Sequence, residues 1–212
     1  MLNSRAGKDF PCLRLISRFS ILKKALQALS VNYWLAAFGI AAGALFLFKV
    51  AYGVSTALVL SMTGGALFVS TARARIEIAL SAIEGESHRL AVDLGCGDGR
   101  ILRAVADRLG IHAVGYEVNP LAYVKCRLLC LFHRNVDIRC RNFWHADLSE
   151  ADVVFCYLYP DVLKKLSAKL REELRPGAKV ISFNFPLPGF TPCQILRPAG
   201  ALHGDPIFVY RS

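Results

Sequence analysis

The sequence predicts an α/β domain with a mostly parallel sheet, preceded by an apolar helical segment. From residue 86 onward, apolar runs of strand length alternate with runs of helical length, which is the order of a parallel sheet. Between Val31 and Ala72 the only charged residue is Lys49. A bilayer-crossing helix needs about 20 apolar residues, so this stretch indicates a membrane segment. The 212 residues can hold one ordinary domain and this appendage.

Seven strand-length runs and three helical runs make up the predicted domain. The predicted strands are residues 90–94, 112–117, 136–140, 152–157 and 179–183, and runs 194–196 and 207–210 add a short antiparallel edge. The predicted helices are residues 100–109, 120–133 and 160–174, and Pro176-Gly177 ends the last of them. Together they give a seven-stranded Rossmann-like sheet.

Composition divides the chain into four parts. Residues 1–30 form a basic amphipathic segment, 31–72 a hydrophobic membrane segment of one or two helices, 73–88 a partly helical linker, and 89–212 the α/β domain. The first part has one acid, Asp9, and apolar residues at helical spacing, which suits a helix on an anionic membrane surface. An organellar targeting peptide is the alternative interpretation.

The membrane segment has cations at both ends, which by the positive-inside rule favours a two-span hairpin with both termini on one side. Lys49 leaves almost no polar loop for this hairpin, although Tyr52 and Gly53 are suited to a tight turn. A single tilted span, a re-entrant segment and a buried hairpin of a soluble protein remain as alternatives. We expect the α/β domain to lie in the cytoplasm at a bacterial inner membrane, with the mitochondrial inner membrane as the alternative.

The charge and the cysteines limit the expected partners. Half of the net charge of +10 falls before residue 31, and no basic stripe interleaves with aromatic residues, so we expect a lipid bilayer as a partner and no nucleic acid. The seven cysteines include no C-x-x-C pair. No metal site is therefore expected.

The segment Asp93-Leu94-Gly95-Cys96-Gly97-Asp98-Gly99 joins the first strand to the first helix. Its glycines let the backbone approach a ligand, and the helix start supplies amide donors. Arg100 stands where a dinucleotide fingerprint requires glycine. The spacing D-x-G-x-G-x-G instead resembles the S-adenosylmethionine loop of class I methyltransferases, although a tight connection without a ligand uses similar residues.

Further cofactor contacts are predicted at the ends of the next two strands. Glu117, about 20 residues beyond the glycines, is the predicted ligand of the ribose hydroxyls, and Val118 and Asn119 follow it. Asn142 is the predicted contact of the adenine amino group, with Phe143 on the face of the ring. A helix cap is the alternative role of Asn142. Asp147 is an alternative adenine contact, although its surroundings indicate a capping segment.

The ends of the fourth and fifth strands supply the predicted acceptor side and the candidate catalytic residues, Tyr157, Tyr159, Asn184 and Phe185. Tyr157 is also a candidate cofactor contact. These residues offer aromatic walls and an amide but no strong base, which fits an amine that arrives neutral. Aromatic rings tolerate a methylated ammonium product. The alternative is that these rings only pack in the sheet.

Longer motifs resemble the membrane-associated lysine methyltransferases of mitochondria and their bacterial relatives, over roughly residues 50 to 210. They are the glycine loop with Arg100, Gly115-Tyr116-Glu117-Val118-Asn119-Pro120, Asn142-Phe143-Trp144, the helix Lys164-Lys165-Leu166-Ser167-Ala168-Lys169-Leu170, and Phe185-Pro186-Leu187-Pro188-Gly189-Phe190-Thr191-Pro192. The mitochondrial members of that family modify lysines of the ATP synthase c subunit and the adenine nucleotide translocase.

The resemblance implies that Asp93, Gly95, Gly97, Glu117 and Asn142 hold S-adenosylmethionine, and that residues 185–188 shape the acceptor side. Asn142 stands where the mitochondrial relatives have Asp. The strand end of those relatives is less aromatic than the equivalent Tyr157-Leu158-Tyr159-Pro160 of this chain. The leading hypothesis is a membrane-anchored methyltransferase acting on lysines of a protein, which could itself be a membrane protein. The alternatives are a methyltransferase for a lipid, quinone or other small molecule, and a non-catalytic cofactor-binding membrane module.

Overall fold

A computed structural model describes the backbone of residues 11–60, 71–198 and 205–212 and the side chains of residues 32–57, 71–198 and 205–212. The chain forms two compact units, Met1–Ala51 and Tyr52–Ser212. The side chains of residues 1–31 lie outside the described part. The amphipathic or targeting character of residues 1–30 therefore stays a prediction.

Helix α1 (Pro11–Leu60) runs without a break through Lys49, Tyr52 and Gly53. The expected hairpin turn at these residues was therefore wrong. No proline occurs between residues 12 and 60, and the stretch is rich in Ala and Leu, so one glycine and one lysine do not end the helix. The range Asn32–Ala57, with a mean hydropathy of 1.9, is the one described helix long and apolar enough to cross a membrane.

The expected linker 73–88 contains a structural helix, α2 (Arg73–Ser81). Ile76, Ala79, Leu80 and Ile83 are buried there, and they pack with the core of the α/β domain. The sequence predicts a partly helical linker here, so the helix agrees with that expectation, whereas its packing against the core was not predicted. Its apolar residues recur at helical spacing, which is the signal that would have revealed a packed helix.

The sheet has seven strands in the order β3-β2-β1-β4-β5-β7-β6. Their bounds are β1 (Leu90–Leu94), β2 (His112–Tyr116), β3 (Val136–Arg139), β4 (Val153–Cys156), β5 (Lys179–Phe183), β6 (Gln194–Leu196) and β7 (Ile207–Arg211). The first five are parallel, and β7 runs antiparallel to both β5 and β6. The predicted mostly parallel sheet with an antiparallel edge is confirmed.

Three helices connect the parallel strands: α3 (Arg100–Leu109), α4 (Pro120–Leu129) and α5 (Pro160–Glu173). Helix α4 ends four residues earlier than predicted, because residues 130–132 form a turn. Each face of the sheet buries apolar side chains. Leu163, Leu166 and Leu170 of α5 belong to one buried cluster, and Leu102 and Val105 of α3 belong with α2 to the other.

Candidate active site

The site lies where the order of the parallel strands reverses. Strand β1 pairs with β2 on one side and with β4 on the other, and both neighbours run parallel to it. Helices that leave such strands in opposite directions open a crevice beyond the carboxyl ends of the strands, where α/β folds bind nucleotides. The predicted cofactor and acceptor residues follow these strand ends.

The glycine loop after β1 takes a backbone form that favours glycine. Gly95, Gly97 and Gly99 have φ values of 86°, 56° and 72°. The amides of Gly95 and Cys96 both donate to the Tyr116 carbonyl, each at 3.0 Å, which ties the loop to the end of β2. The loop therefore carries the conformation that a backbone cradle for a ligand requires.

The side chain of Cys96 points into the protein core. Its Sγ lies 4.0 Å from that of Cys126, and a Cβ added to Gly115 would meet the Cys96 Sγ at 2.7 Å. Cys96 can therefore contribute only its backbone to a ligand at the loop. Gly115, which makes room for this side chain, was not among the predicted site residues.

Glu117 fixes the loop to the segment after β2. Its carboxylate accepts hydrogen bonds from the Gly97 amide at 2.9 Å and from the Asn119 amide at 2.8 Å. Burial raises the pKa of Glu117, while the bonds from Asn119, Gly97 and Val118 act in the opposite direction. A buried carboxylate at this strand end is suited to bind paired hydroxyls of a ribose.

The side chain of Asn119 forms hydrogen bonds with other residues of the protein. Its Oδ1 caps α4 by accepting from the amides of Leu121 at 3.0 Å and Ala122 at 3.3 Å. The same oxygen accepts from Ser55 Oγ at 2.9 Å, and Nδ2 donates to Thr56 Oγ1 at 3.0 Å. Asn119 can therefore contact the cofactor only through its backbone. The neighbouring Val118 is half-buried.

Three acids surround the loop. Burial, aided by the charges of Glu117 and Asp98, raises the pKa of Asp93 to about 8. Burial also acts to raise the pKa of Asp98. The Arg100 guanidinium donates hydrogen bonds to Asp98 at 2.9 and 2.7 Å, and these bonds and the positive charge of Arg100 outweigh burial, so the pKa of Asp98 is lowered. S-adenosylmethionine carries a sulfonium and an ammonium group, so this acidic cradle fits its charge.

The Asn142 side chain caps the 3₁₀ turn Phe143–His145 by accepting from the Trp144 amide at 3.1 Å. The capping role is therefore present, and a contact with adenine stays a prediction. Phe143 is buried and lies 4.9 Å from the Trp144 ring, centroid to centroid. Asp147 accepts from the Ser149 amide at 2.9 Å, as a capping segment does.

The four candidate catalytic residues come together around one cavity of about 140 Å³, lined by Tyr157, Leu158, Tyr159, Asn184 and Phe185. Asn184 Nδ2 donates to the Tyr157 hydroxyl at 2.8 Å. The rings of Tyr159 and Phe185 lie 6.2 Å apart. Asn184 has a φ of 68°, a left-handed conformation that Asn tolerates better than most residues.

Arg75 of α2 supports this cavity, and sequence reasoning missed it. Its Nη2 donates to Asn184 Oδ1 at 2.5 Å. Its guanidinium lies 5.5 Å from the ring centroids of both Tyr157 and Phe183, and Asp205 is 3.6 Å away. In the sequence Arg75 reads as a cation beside the membrane segment, so no local signal distinguishes it.

The fold and this site define a class I S-adenosylmethionine-dependent methyltransferase. A solved RNA methyltransferase from Salinibacter ruber, in complex with S-adenosyl-L-homocysteine, is 32% identical, has a TM-score of 0.62, and is covered over 93% of its length by 68% of this chain. The cofactor is S-adenosylmethionine.

Sequence comparison places the chain more narrowly. The profile of the ANTKMT methyltransferase domain matches residues 93–194. The protein-lysine N-methyltransferase of Saccharolobus islandicus is 32% identical over 57% of this chain and 78% of that protein. Mouse adenine nucleotide translocase lysine N-methyltransferase is 35% identical over 61% of this chain and 57% of its own length. The chain belongs to this family of methyltransferases, although it spans only about half the length of several curated relatives.

Proposed function

We propose that this protein is a membrane-anchored methyltransferase that transfers a methyl group from S-adenosylmethionine to lysine side chains of a protein. The observation that carries the proposal is the small aromatic cavity at the ends of β4 and β5, of which β4 pairs with β1, the strand that leads into the glycine loop. Its supporting observation is the similarity to protein-lysine methyltransferases.

The cofactor side consists of the glycine loop and the acids around it. Glu117 would bind the ribose hydroxyls, the amides of the loop would face the polar end of the cofactor, and Asp93 would balance its positive charge. Asn142 and Phe143 would hold the adenine. When bound, S-adenosylmethionine supplies an electrophilic methyl group on a cationic sulfur.

The acceptor must present a nitrogen lone pair, so a lysine has to lose its proton before transfer. The five lining residues include no carboxylate and no imidazole. A cavity walled by rings penalises the charged ammonium and lowers its pKa, which releases the proton to solvent. The Tyr157 oxygen, held by Asn184, can then accept a hydrogen bond from the neutral amine. Positioning therefore carries most of the catalysis.

The dimensions of the cavity favour a lysine over a nucleobase or a quinone ring. Pockets that bury drug-sized ligands measure about 300–1,000 Å³, whereas this one measures about 140 Å³. A straight alkyl chain with a small head fits such a space. The RNA methyltransferase among the structural relatives makes RNA the competing acceptor to test.

Anchoring rests on the exposed apolar surface of α1. Tyr33, Trp34, Phe38, Leu45 and Phe46 are all exposed, and the window of highest hydropathy is 0% buried. A helix with apolar residues all round belongs in a bilayer or in a large core. We place the protein at the bacterial inner membrane with its catalytic domain in the cytoplasm, and the mitochondrial inner membrane is the alternative.

The test is transfer of labelled methyl into membranes that lack this protein, followed by separation of protein, RNA and organic fractions. We expect label in the protein fraction, its loss with Glu117→Gln, and no change with Glu150→Gln, a matched variant of an exposed acid. Label confined to the organic phase would support a lipid or quinone acceptor instead. Label in RNA would show that the acceptor is RNA and not a protein. Cofactor binding without transfer would indicate a non-catalytic cofactor-binding module.

A further inference from the structure

Helix α4 and its following turn expose an apolar patch on the α/β domain. The α4 patch consists of Val124, Leu128, Leu129, Leu131 and Phe132, whose exposed fractions are 50%, 68%, 45%, 68% and 90%. Ala122 and Cys126 anchor the helix in the core, and Val124 and Leu128 lie on the face opposite to them. Five large exposed apolar side chains within residues 124–132 exceed the scattered exposure that a soluble surface ordinarily has.

The charges around the α4 patch are positive. Residues 118–136 contain Lys125, Arg127 and Arg134 and no Asp or Glu. Asp107 reaches this segment from α3, and its Oδ1 lies 3.1 Å from His133 Nε2. Apolar side chains flanked by cations match the chemistry of an anionic lipid surface, where the chains enter the boundary and the cations meet the headgroups.

The position of α4 gives a second reason to choose lipid. Its N-cap, Asn119, bonds to Ser55 and Thr56 of α1, and all three residues lie within the unit Tyr52–Ser212. Ser55 and Thr56 belong to the range Asn32–Ala57 that could cross a membrane. The first turn of α4 is thus adjacent to residues 55 and 56 of the apolar helix α1.

We propose that the α4 patch rests on the surface of a bilayer that contains anionic lipid, as a second membrane contact in addition to α1. This proposal rests on the membrane anchoring in the proposed function. Leu128, Leu131 and Phe132 enter the headgroup boundary, and Lys125, Arg127 and Arg134 contact lipid phosphates. The contact fixes the rotation of the domain, so that the cofactor loop, which α4 adjoins at Asn119, keeps a constant orientation to the membrane.

The experiment uses the full chain in vesicles of phosphatidylcholine and phosphatidylglycerol with brominated acyl chains, which quench nearby tryptophan. The variant is Phe132→Trp, and the matched control is Ile195→Trp, an exposed apolar residue of β6. The difference between wild type and Trp34→Phe reports the quenching of α1 itself. Unchanged cofactor affinity in each variant verifies the fold.

A ring buried about 5–10 Å into the boundary should lose about half of the fluorescence that Phe132→Trp adds, whereas the control should lose almost none. Vesicles without phosphatidylglycerol should quench the Phe132→Trp signal less. Quenching of Trp34 without quenching at position 132 would overturn the α4 contact and leave the patch to a second copy or a protein partner. Equal quenching at positions 132 and 195 would overturn it as well. No quenching of Trp34 would refute the anchoring, and this inference with it.

Discussion

The cofactor side and the acceptor side of the site consist of different chemical groups. The cofactor side relies on backbone conformation and buried acids, with three glycines at positive φ and Glu117 bonded to two amides. The acceptor side relies on rings and one amide, and its order depends on Arg75 from a separate helix. Most of the first side comes from residues 93–119, whereas the second combines the ends of β4 and β5 with Arg75 of α2. Changes on the two sides should therefore have separable effects.

The largest effect should come from Glu117→Gln. We expect cofactor affinity to fall by about 100-fold or more, because hydrogen bonds to a charged group contribute about 1.5–3 kcal/mol each. Titration calorimetry with S-adenosylhomocysteine measures it, and Glu150→Gln is the control. Wild-type affinity in Glu117→Gln would contradict the ribose-binding role of this carboxylate.

Asp93→Asn should weaken cofactor binding by about tenfold or more at pH 9, where Asp93 is ionised and the substitution removes a charge of the cradle. It should also stabilise the free protein. The folded protein holds the Asp93 proton up to a pKa of about 8, above the ordinary 3.8, so stability declines as pH rises between those values. Thermal melts from pH 5 to pH 9 should show this decline in wild type and a smaller one in Asp93→Asn.

Affinity of the wild type for the cofactor should also rise as pH passes through about 8, because ionised Asp93 attracts the cation. Asp93→Asn should abolish that rise. A pH-independent affinity in wild type would contradict the role given to this carboxyl.

Arg75→Ala should leave cofactor affinity unchanged and lower kcat by about tenfold, because small misplacements of positioning groups are costly. An alanine at this position can neither donate a hydrogen bond to Asn184 nor lie over the Tyr157 ring, as the guanidinium does. Arg75→Lys keeps the charge but not the planar group, so its kcat should lie between those of wild type and Arg75→Ala. A parallel loss of cofactor affinity would mean that the two sides are not separable.

The smallest effect should come from Asn142. Asn142→Ala removes a cap worth about 1 kcal/mol, and Asn142→Asp keeps it, because both residues cap well. If the side chain also contacts adenine, Asn142→Ala should lower cofactor affinity by about fivefold beyond any change in stability. Equal affinity in all three proteins would leave Asn142 with capping alone.

Sequence reasoning reached the cofactor side because its determinants are local. The spacing of Gly95, Gly97 and Gly99 and the position of Glu117 follow from one strand, one turn and the next strand. The strands were likewise predicted from short apolar runs, and the antiparallel edge was confirmed. Tyr157 and Asn184, far apart in sequence, could be paired because parallel strands end at one edge.

Other features depend on contacts that the sequence does not display. The role of Arg75 appears only when α2 brings it beside Asn184. The Asn119 side chain forms hydrogen bonds with Ser55 and Thr56, which the sequence assigned to the membrane segment, so its unavailability to the cofactor could not be predicted. The hairpin was favoured because cations flank both ends of the apolar segment, whereas α1 is unbroken as in the alternative of a single span.

The central claim is that the acceptor atom is a lysine nitrogen, and the identity of the methylated residue tests it most directly. Protein labelled with S-adenosylmethionine in membranes lacking the native enzyme would be hydrolysed in acid, and the radioactive amino acids separated. We predict methylated lysine that disappears with Glu117→Gln and is reduced with Arg75→Ala. Label on another amino acid, or in no amino acid at all, would contradict the claim.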